Sequence, residues 1–437
     1  MPALSVLLSV ALAISGFVEA LPPRIGTPHV STPSNGTGAA TSGDASSKRS
    51  THPGTASLTQ VRNPNFVPNG PLALAKVYSK YGLPLPPDLQ DLINRIYQQL
   101  RQKRSTGSVV TTPQQYDVEY LTPVTIGTPG QNLEIDIDTG SSDFWVFSSE
   151  TPKSQVDGQT CYNPNKSSTA KKLEGATWEI EYGDGSSSSG DVYLDKVKMG
   201  GVNFSSQAVE VASKVSAEFT ADTNNDGLMG LAFGSINQVR PQKQTTFFEN
   251  LQSSLDKPLF TADLKSGAPG HFNFGYIDKN AYTGSITYTP VNSTQGFWMW
   301  TSPGYTIGAS GKFKSSPIEG IADTGTTLLL LPSSVVKAYY KNVSGASYQS
   351  SNGGYVFPCD ATLPSFYVSV GDDARIKIPG KYMSYAPVDS QGQNCFGGLQ
   401  TDDGIGFSIF GDVFLKAAFV VFDAGKERLG LAAKKLS

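Results

Sequence analysis

Histidine and cysteine are scarce in this chain of 437 residues, which has 3 of each. Two of the histidines, His29 and His52, lie in a Ser/Thr/Pro-rich N-terminal part, so only His271 remains for the rest of the chain. One histidine does not suffice for a Ser-His-Asp triad or a histidine-rich zinc site. The sequence also has no HExxH, no P-loop and no paired CxxC. We therefore expect no metal and no cofactor.

Long hydrophobic runs are missing as well, except for residues 4–18. This run is too short to span a bilayer, and Val18-Glu19-Ala20 supplies small residues where a signal peptidase would cut. We expect residues 1–20 to be a secretory signal peptide; the alternative is a buried N-terminal helix. The C-terminal LAAKKLS has no apolar anchor signal, so the sequence predicts a secreted, extracellular protein with no membrane partner.

Charge divides the remaining chain at a basic run, RQKR at residues 101–104. Residues 21–104 hold 10 Lys and Arg against 3 Asp and Glu, whereas residues 105–437 hold 24 against 33. This asymmetry predicts a basic propeptide, residues 21–104, that docks on an acidic body and is cut after Arg104. Its composition predicts disorder over 26–57 and helices around 72–82 and 88–101. The alternative, a nucleic-acid-binding arm, does not suit an exported protein, so we expect no nucleic-acid partner.

The 3 cysteines cannot all pair. Cys359 and Cys395 lie in one Gly-rich C-terminal stretch, and an oxidising compartment favours a disulfide between them. Cys161 is then left over, as a spectator thiol rather than a nucleophile. Sequons for N-glycosylation occur at Asn35 in the propeptide and, in the body, at Asn165, Asn203, Asn292 and Asn342.

Beyond residue 105 the pattern is that of β-structure. Short runs rich in Val, Ile, Tyr, Phe and Thr are broken by Gly, Asn, Asp and Ser every 8–12 residues, as in QNLEIDID and SITYTPV. Helical patterns are few, at 246–255 and 333–343. The sequence predicts an all-β protein.

A tetrapeptide is repeated within this β-pattern, in IDIDTGSS at 135–142 and EGIADTGTT at 319–327. Thr-Ile-Gly precedes each copy, at 125–127 and 306–308. An apolar-Gly-apolar segment follows each copy, with Gly230 92 residues after Asp138 and Gly411 88 residues after Asp323. The same order at nearly equal spacing indicates two homologous lobes whose DTG turns meet at their interface.

Two facing carboxyl groups can do chemistry that one cannot. Asp138 and Asp323, a few ångströms apart, would share one proton, because both cannot ionise cheaply. One would then act as a base on water while the other protonates a carbonyl oxygen. The DTG glycines would permit a tight turn, Thr would tie one loop to the other, and Ser141 or Thr326 would hydrogen-bond a carboxylate oxygen. The alternative, two ordinary Asp-Gly turns, does not explain the duplication.

Residues 116–437 closely resemble pepsin-type aspartic endopeptidases, in particular the secreted fungal aspergillopepsin and penicillopepsin group. The resemblance rests on DTGSSDFWVFSSE, YNPNKSSTAKKLEGATWEIEYGDGSSSSGDVY, DGLMGLAFG, ADTGTTLLLLP and IFGDVFLKAAFVVFDAGKERLGLA. It implies a bilobal pepsin-like fold, with an N-terminal lobe at 105–278, a C-terminal lobe at 279–437, and a cleft between them closed by a hairpin flap. In the leader the resemblance begins only at about residue 71.

The resemblance also implies roles for particular residues. Asp138 and Asp323 would be the catalytic pair, supported by the remaining residues of the two turns, namely Thr139, Gly140, Ser141, Thr324, Gly325 and Thr326. Tyr182, Gly183 and Asp184 would form the flap tip, with Tyr182 directed toward Trp145. Lys76, Lys80 and Tyr81 resemble the Lys-Tyr element that blocks the cleft in zymogens.

The implied activity is that of a monomeric endopeptidase, made as an inactive zymogen, that hydrolyses protein and peptide substrates at acidic pH. Its own propeptide and pepstatin would inhibit it. Large hydrophobic residues around the cut are expected, and Asp184 would let Lys precede it. The alternatives are a solvated Asp184 that only favours the turn, a catalytically inactive pepsin-like binding protein, and a glycosidase with paired carboxylates.

Overall fold

A computed structural model describes residues 54–63, 66–106, 120–181, 187–372 and 374–436. The chain there is mostly β-structure, arranged in four sheets. The all-β prediction is therefore confirmed. The predicted signal peptide and the flap tip, Tyr182, Gly183 and Asp184, lie outside the described residues.

The first half of the body and one short strand of the predicted propeptide form an eight-stranded sheet. In spatial order its strands are Val61–Arg62, Tyr120–Ile126, Gln131–Asp138, Gly227–Gly230, Phe144–Val146, Val202–Val215, Ser187–Met199 and Lys171–Glu181. An additional antiparallel pairing joins Tyr120–Ile126 to Ser187–Met199. This sheet carries the first DTG turn directly after one of its strands.

The second half forms two sheets. The seven-stranded sheet runs in the order Ala374–Ile378, Phe366–Val370, Met299–Ile307, Lys314–Ala322, Ser408–Phe410, Leu329–Leu331 and Leu399–Thr401. A four-stranded sheet consists of Ser347–Gln349, Gly354–Pro358, Asn394–Gly397 and Ser384–Pro387. The second DTG turn follows a strand of the larger sheet.

A six-stranded sheet combines strands from both halves. Its order is Ala56–Thr59, His271–Phe274, Leu259–Asp263, Ala418–Asp423, Arg428–Ala433 and Thr283–Pro290. Phe260 and Phe422 pair across two of these strands, with stacked rings whose centroids lie 4.5 Å apart. Burial of such rings links the two halves through a shared core.

Helices are short in the body and longer in the propeptide. The α-helices are Gly70–Lys80, Pro87–Thr106, Ala217–Thr220, Phe247–Leu251, Ser333–Tyr340 and Asp412–Leu415. The 3₁₀ turns are Lys153–Gln155, Pro164–Lys166, Gly234–Ile236, Gln252–Ser254, Ser350–Asn352, Gly380–Met383 and Ala424–Lys426. All four helical patterns identified in the sequence are thus confirmed, with shifted ends. Among the described residues, no helix is both long and apolar enough to cross a bilayer.

The predicted duplication has a direct structural counterpart. Strand Gln131–Asp138 runs parallel to Gly227–Gly230, with Asp138 opposite Gly230. Strand Lys314–Ala322 likewise runs parallel to Ser408–Phe410, which ends just before Gly411. Each DTG turn therefore lies beside its own apolar-Gly-apolar segment, so the spacing that recurs in sequence reflects the same pair of parallel strands in each half.

The described part of the predicted propeptide packs on the rest of the chain. Asn69 caps helix Gly70–Lys80 by accepting a 3.0 Å hydrogen bond from the Leu72 backbone N–H. Leu89 and Ile93 of the next helix are buried, and Gly353 of the body leaves room for the Leu89 side chain. Removal of these two helices would therefore expose apolar surface.

The disorder prediction for 26–57 is wrong at its C-terminal end. Strand Ala56–Thr59 pairs antiparallel with His271–Phe274 at a sheet edge, and Ala56 and Leu58 are buried. Composition alone indicated disorder because it ignores the stabilisation that a free edge strand offers to an extended segment. Residues 26–53 lie outside the described residues.

Candidate active site

In each DTG turn, the carboxylate accepts the same two kinds of hydrogen bond, one from a backbone N–H and one from a hydroxyl. Asp138 Oδ1 accepts the Gly140 backbone N–H at 2.8 Å, and Asp138 Oδ2 accepts the Ser141 hydroxyl at 2.5 Å. In the second turn, Gly325 donates its N–H to Asp323 Oδ1 at 3.0 Å, and Thr326 donates its hydroxyl to Asp323 Oδ2 at 2.5 Å. Both carboxylates are fully buried. Their orientation is therefore fixed before any ligand binds.

The two glycines are required for space. A Cβ on Gly140 would lie 2.5 Å from Asp323 Cγ, and a Cβ on Gly325 would lie 2.5 Å from Asp138 Cγ. Neither glycine has a positive φ. Each glycine nevertheless lies in a turn, as predicted, and its missing Cβ also permits the close approach of the opposite carboxyl group.

Thr139 and Thr324 join the two turns, as predicted. The backbone N–H of each donates to the hydroxyl of the other, at 3.1 and 3.0 Å. Each hydroxyl in turn donates across the interface to a backbone carbonyl, of Ala322 at 2.7 Å and of Ile137 at 2.6 Å. These four bonds fix the separation of the two carboxylates.

Lys80, in the predicted propeptide, places a cation between the two carboxylates. Lys80 Nζ lies 2.7 Å from Asp138 Oδ1 and 2.7 Å from Asp323 Oδ1. The Tyr81 hydroxyl donates to Asp323 Oδ2 at 2.7 Å. Of the two candidate lysines, Lys80 therefore bridges the pair. The charge of Lys76 instead acts on Asp136, where it offsets part of the rise in pKa caused by burial.

The cation strongly affects the ionisation of the pair. Burial by itself would raise the pKa of Asp323, but the Lys80 charge and hydrogen bonds from its neighbours hold it at about 2. Burial raises the pKa of Asp138, which the nearby Asp323 charge raises further. The pKa of Lys80 is raised because the two carboxylates outweigh its burial. With Lys80 bound, the pKa values of the two carboxyl groups are therefore shifted in opposite directions.

Two features of the cleft escaped the sequence analysis. Asp136 is buried and lines the same cleft, and burial raises its pKa to about 7. The strand period could have revealed it, because Asp136 and Asp138 are two residues apart and share a face. Phe297 and Phe407 meet the ring of Tyr81 edge-on, at 5.7 and 5.3 Å. No local sequence pattern could indicate that these two rings meet, since they are far apart in sequence.

The cleft is large, with a cavity of about 810 Å³ beside the carboxylates. Trp145 lies in its wall, buried and stacked on Trp178 with ring centroids 6.1 Å apart. The indole N–H of Trp145 has no acceptor among the described residues. The predicted contact with Tyr182 concerns a residue outside them, so it stays a prediction.

None of the cysteines or described sequon asparagines lines the cleft. Cys359 and Cys395 form the predicted disulfide, while Cys161 is a half-buried free thiol whose pKa is raised by burial and by the Asp226 charge. Asn203 is half-buried in a strand. The remaining described candidates are exposed, namely Asn165, Asn292 and Asn342.

Comparison with known proteins identifies the same region. The family model described as eukaryotic aspartyl protease matches residues 119–434. Endothiapepsin of Cryphonectria parasitica is 60% identical over 384 residues, which are 87% of this chain and 91% of that protein. Aspergillopepsin-1 of Aspergillus pseudoglaucus is 55% identical and penicillopepsin-3 of Penicillium janthinellum 52%, each over 379 residues, 86% of this chain and 92% of the relative. Such coverage requires the similarity to begin before residue 71, earlier in the leader than the motifs indicated.

Proposed function

Since this chain belongs to the eukaryotic aspartyl protease family and is an aspartic endopeptidase, we propose that Asp138 and Asp323 are its catalytic pair. The observation that carries the proposal is that one Lys80 nitrogen lies 2.7 Å from both carboxylates. A small polar group at that point is within hydrogen-bond reach of both acids. After the propeptide leaves, the attacking water would take this position.

The reaction follows from one shared proton. The ionised carboxylate accepts a proton from the water, whose oxygen attacks the carbonyl carbon of the peptide bond. The protonated carboxyl group donates to the carbonyl oxygen as the tetrahedral intermediate forms. The proton is then returned to the leaving nitrogen as the carbon–nitrogen bond breaks. This shared-proton scheme is general for aspartic proteases.

We propose that the full-length chain, with Lys80 and Tyr81 in the cleft, is the inactive zymogen. Lys80 and Tyr81 occupy the positions that water and substrate need, so the propeptide acts as an internal inhibitor. At low pH the carboxylates become protonated, the ion pair with Lys80 is lost, and the propeptide is released. Cleavage after Arg104 would make release permanent.

Tyr81 indicates which substrates the cleft accepts. Its ring lies between Phe297 and Phe407, next to Asp323. A substrate with a large apolar residue at the cut would bury that side chain between the same rings. Such burial would stabilise the complex by roughly 1.5–3 kcal/mol. This supports hydrophobic residues around the cut. Tolerance of Lys before it rests on Asp184, Tyr182 and Gly183 of the proposed flap.

The remaining proposals follow from the sequence. We propose that the protein is exported through residues 1–20, acts extracellularly as a monomer, and carries glycans on exposed sequons. The body would comprise lobes at 105–278 and 279–437, joined by the six-stranded sheet.

One assay tests the proposed activity. The full-length chain is incubated at about pH 3.5, and its digestion of denatured haemoglobin is measured between about pH 3 and 7, with and without pepstatin. We expect activity at acidic pH that pepstatin abolishes. Digestion that pepstatin does not inhibit, or activity confined to neutral pH, would contradict the proposal, and binding of pepstatin without digestion would favour an inactive binding protein.

A further inference from the structure

Three buried polar side chains meet behind the Asp138 turn, outside the proposed mechanism. Asp143 follows the turn by a few residues, Glu210 belongs to strand Val202–Val215, and Asn237 follows the 3₁₀ turn Gly234–Ile236. They are 4%, 1% and 2% exposed, respectively. Two acidic groups at such burial need compensation, because burial disfavours an ionised carboxylate.

The Asn237 amide has a fixed orientation. Its Oδ1 accepts the backbone N–H groups of Val239 at 3.1 Å and Gln244 at 2.8 Å. Its Nδ2 must therefore face the acids, and it lies 2.9 Å from both Asp143 Oδ1 and Glu210 Oε1. The Ser142 carbonyl oxygen is a third acceptor, at 3.2 Å. One NH₂ group supplies two hydrogens to three acceptors.

Both carboxyl groups thus share one donor, the Asn237 amide, and each shifts the pKa of the other. Glu210 Oε2 has no hydrogen-bond partner of normal geometry among the described residues, and the nearby Phe144 backbone N–H offsets only part of the rise in the Glu210 pKa. Two ionised carboxylates cannot hydrogen-bond and would repel each other, whereas one proton between them satisfies both. The cluster is therefore complete only when Asp143 and Glu210 hold one proton together.

The surroundings favour retention of a single negative charge. Burial raises the pKa of Asp143 to about 6. The Gln238 backbone N–H and the charges of Arg240 and Lys243, which lie in the loop after Asn237, offset only part of this rise. Burial, followed by the Asp143 charge, raises the pKa of Glu210 well above its usual range. The neighbouring strand Ser187–Met199 places the apolar Val192 opposite Glu210.

We propose that the proton shared by Asp143 and Glu210 is a pH-sensitive latch that holds the Asp138 turn in place, and that its loss at neutral pH loosens the turn and inactivates the enzyme. The link to the turn is direct. Asn237 binds the Ser142 carbonyl, the Ser142 hydroxyl donates to the Phe233 carbonyl at 2.6 Å, and the Asp143 carbonyl accepts the Gly230 N–H at 2.8 Å.

The direction of the pH effect follows from linkage. In the unfolded chain both carboxyl groups have pKa values of about 4. The folded pair keeps its proton to higher pH, so between these values the folded state binds more protons than the unfolded state. Stability contributed by the latch is present at acidic pH and decreases as the pH rises from about 4 through 6 and beyond.

Glu210→Gln and Asp143→Asn test the latch, because each replaces the shared proton by an amide N–H that no pH change removes. For the full-length chain, the Tm is followed by tryptophan fluorescence from about pH 4 to 8. Proteolysis after return to acid is measured following incubation at about pH 7.5. As the pH rises, the Tm of each variant should decrease less than the Tm of the wild type. Half-inactivation should occur about one pH unit higher, with inactivation at pH 7.5 slowed roughly tenfold.

Asp402→Asn is the control, since Asp402 is a half-buried acid of the other half whose pKa is raised by burial. This variant should leave the pH of half-inactivation unchanged. The latch is overturned if both variants follow the wild-type pH profile, if Asp402→Asn shifts it equally, or if the wild-type Tm is flat between about pH 5 and 8. Either variant suffices should the other not fold. The Tm measurement is independent of catalysis, so it stands even if the proposed function fails.

Discussion

Thr139 and Thr324 lie 185 positions apart, yet the backbone N–H of each donates to the hydroxyl of the other. Both side chains are buried. The exchange is reciprocal, so neither turn can move without breaking a bond made by the other. This pair explains why threonine follows the aspartate in both copies of the motif.

Thr139→Val and Thr324→Val should each destabilise the chain and lower its activity. Valine has nearly the same shape but no hydroxyl, so a buried N–H of the opposite turn loses its acceptor, at a cost of about 1–3 kcal/mol. The double variant should lose less unfolding free energy than the two single variants together, because both residues contribute to the same contacts. Urea unfolding and kcat/KM measure both effects.

Thr306→Val is the control for these variants. Thr306 is also buried in a strand, but its hydroxyl has no hydrogen-bond partner among the described residues. Its replacement should be neutral or slightly stabilising. Equal losses in all three variants would mean that the bonds between the turns have no special role.

Lys80→Met should shift propeptide release to higher pH. In wild type, the low pKa of Asp323, about 2, means that the ion pair stabilises docking above about pH 4 and is lost as the pH falls toward 2. Without the cation this stabilisation is absent throughout, and two carboxylates face an apolar side chain. We expect the midpoint of acid activation, followed by hydrolysis of dye-labelled casein, to rise by at least about one pH unit.

Arg62→Gln provides the matched control, because it removes one positive charge from an exposed position of the propeptide. Its activation midpoint should stay near that of wild type. If the two variants shift the midpoint equally, the propeptide acts through its overall charge rather than through Lys80.

Much of this site was predictable because chemistry and periodicity are local in sequence. The duplicated DTG, the β-pattern and the Cys359–Cys395 bridge all follow from the sequence. The space that Gly140 leaves does not, since it depends on how closely Asp323 approaches from the other half. The strand Ala56–Thr59 was missed because its pairing partner lies about 215 residues away. Such errors concern contacts between distant segments, which no local pattern reports.

Asp184→Thr should reduce cleavage after Lys selectively. A carboxylate over the residue before the cut would pair with the Lys ammonium through charge-assisted bonds. With matched peptides that carry Lys or Leu at that position, we expect kcat/KM to fall about tenfold for Lys only, about 1.4 kcal/mol. An equal fall for both peptides would mean that Asp184 only shapes the flap.

The proposed dyad is tested most directly by turnover of Asp138→Asn and Asp323→Asn. An amide is nearly isosteric with the carboxyl group, but it cannot act as a base or share the proton. Each purified variant should unfold with a Tm close to that of wild type, yet show no measurable hydrolysis of a peptide substrate at acidic pH, even after its propeptide has been removed by a separate protease. Near-wild-type kcat in either folded variant would contradict the assignment of Asp138 and Asp323 as the catalytic pair.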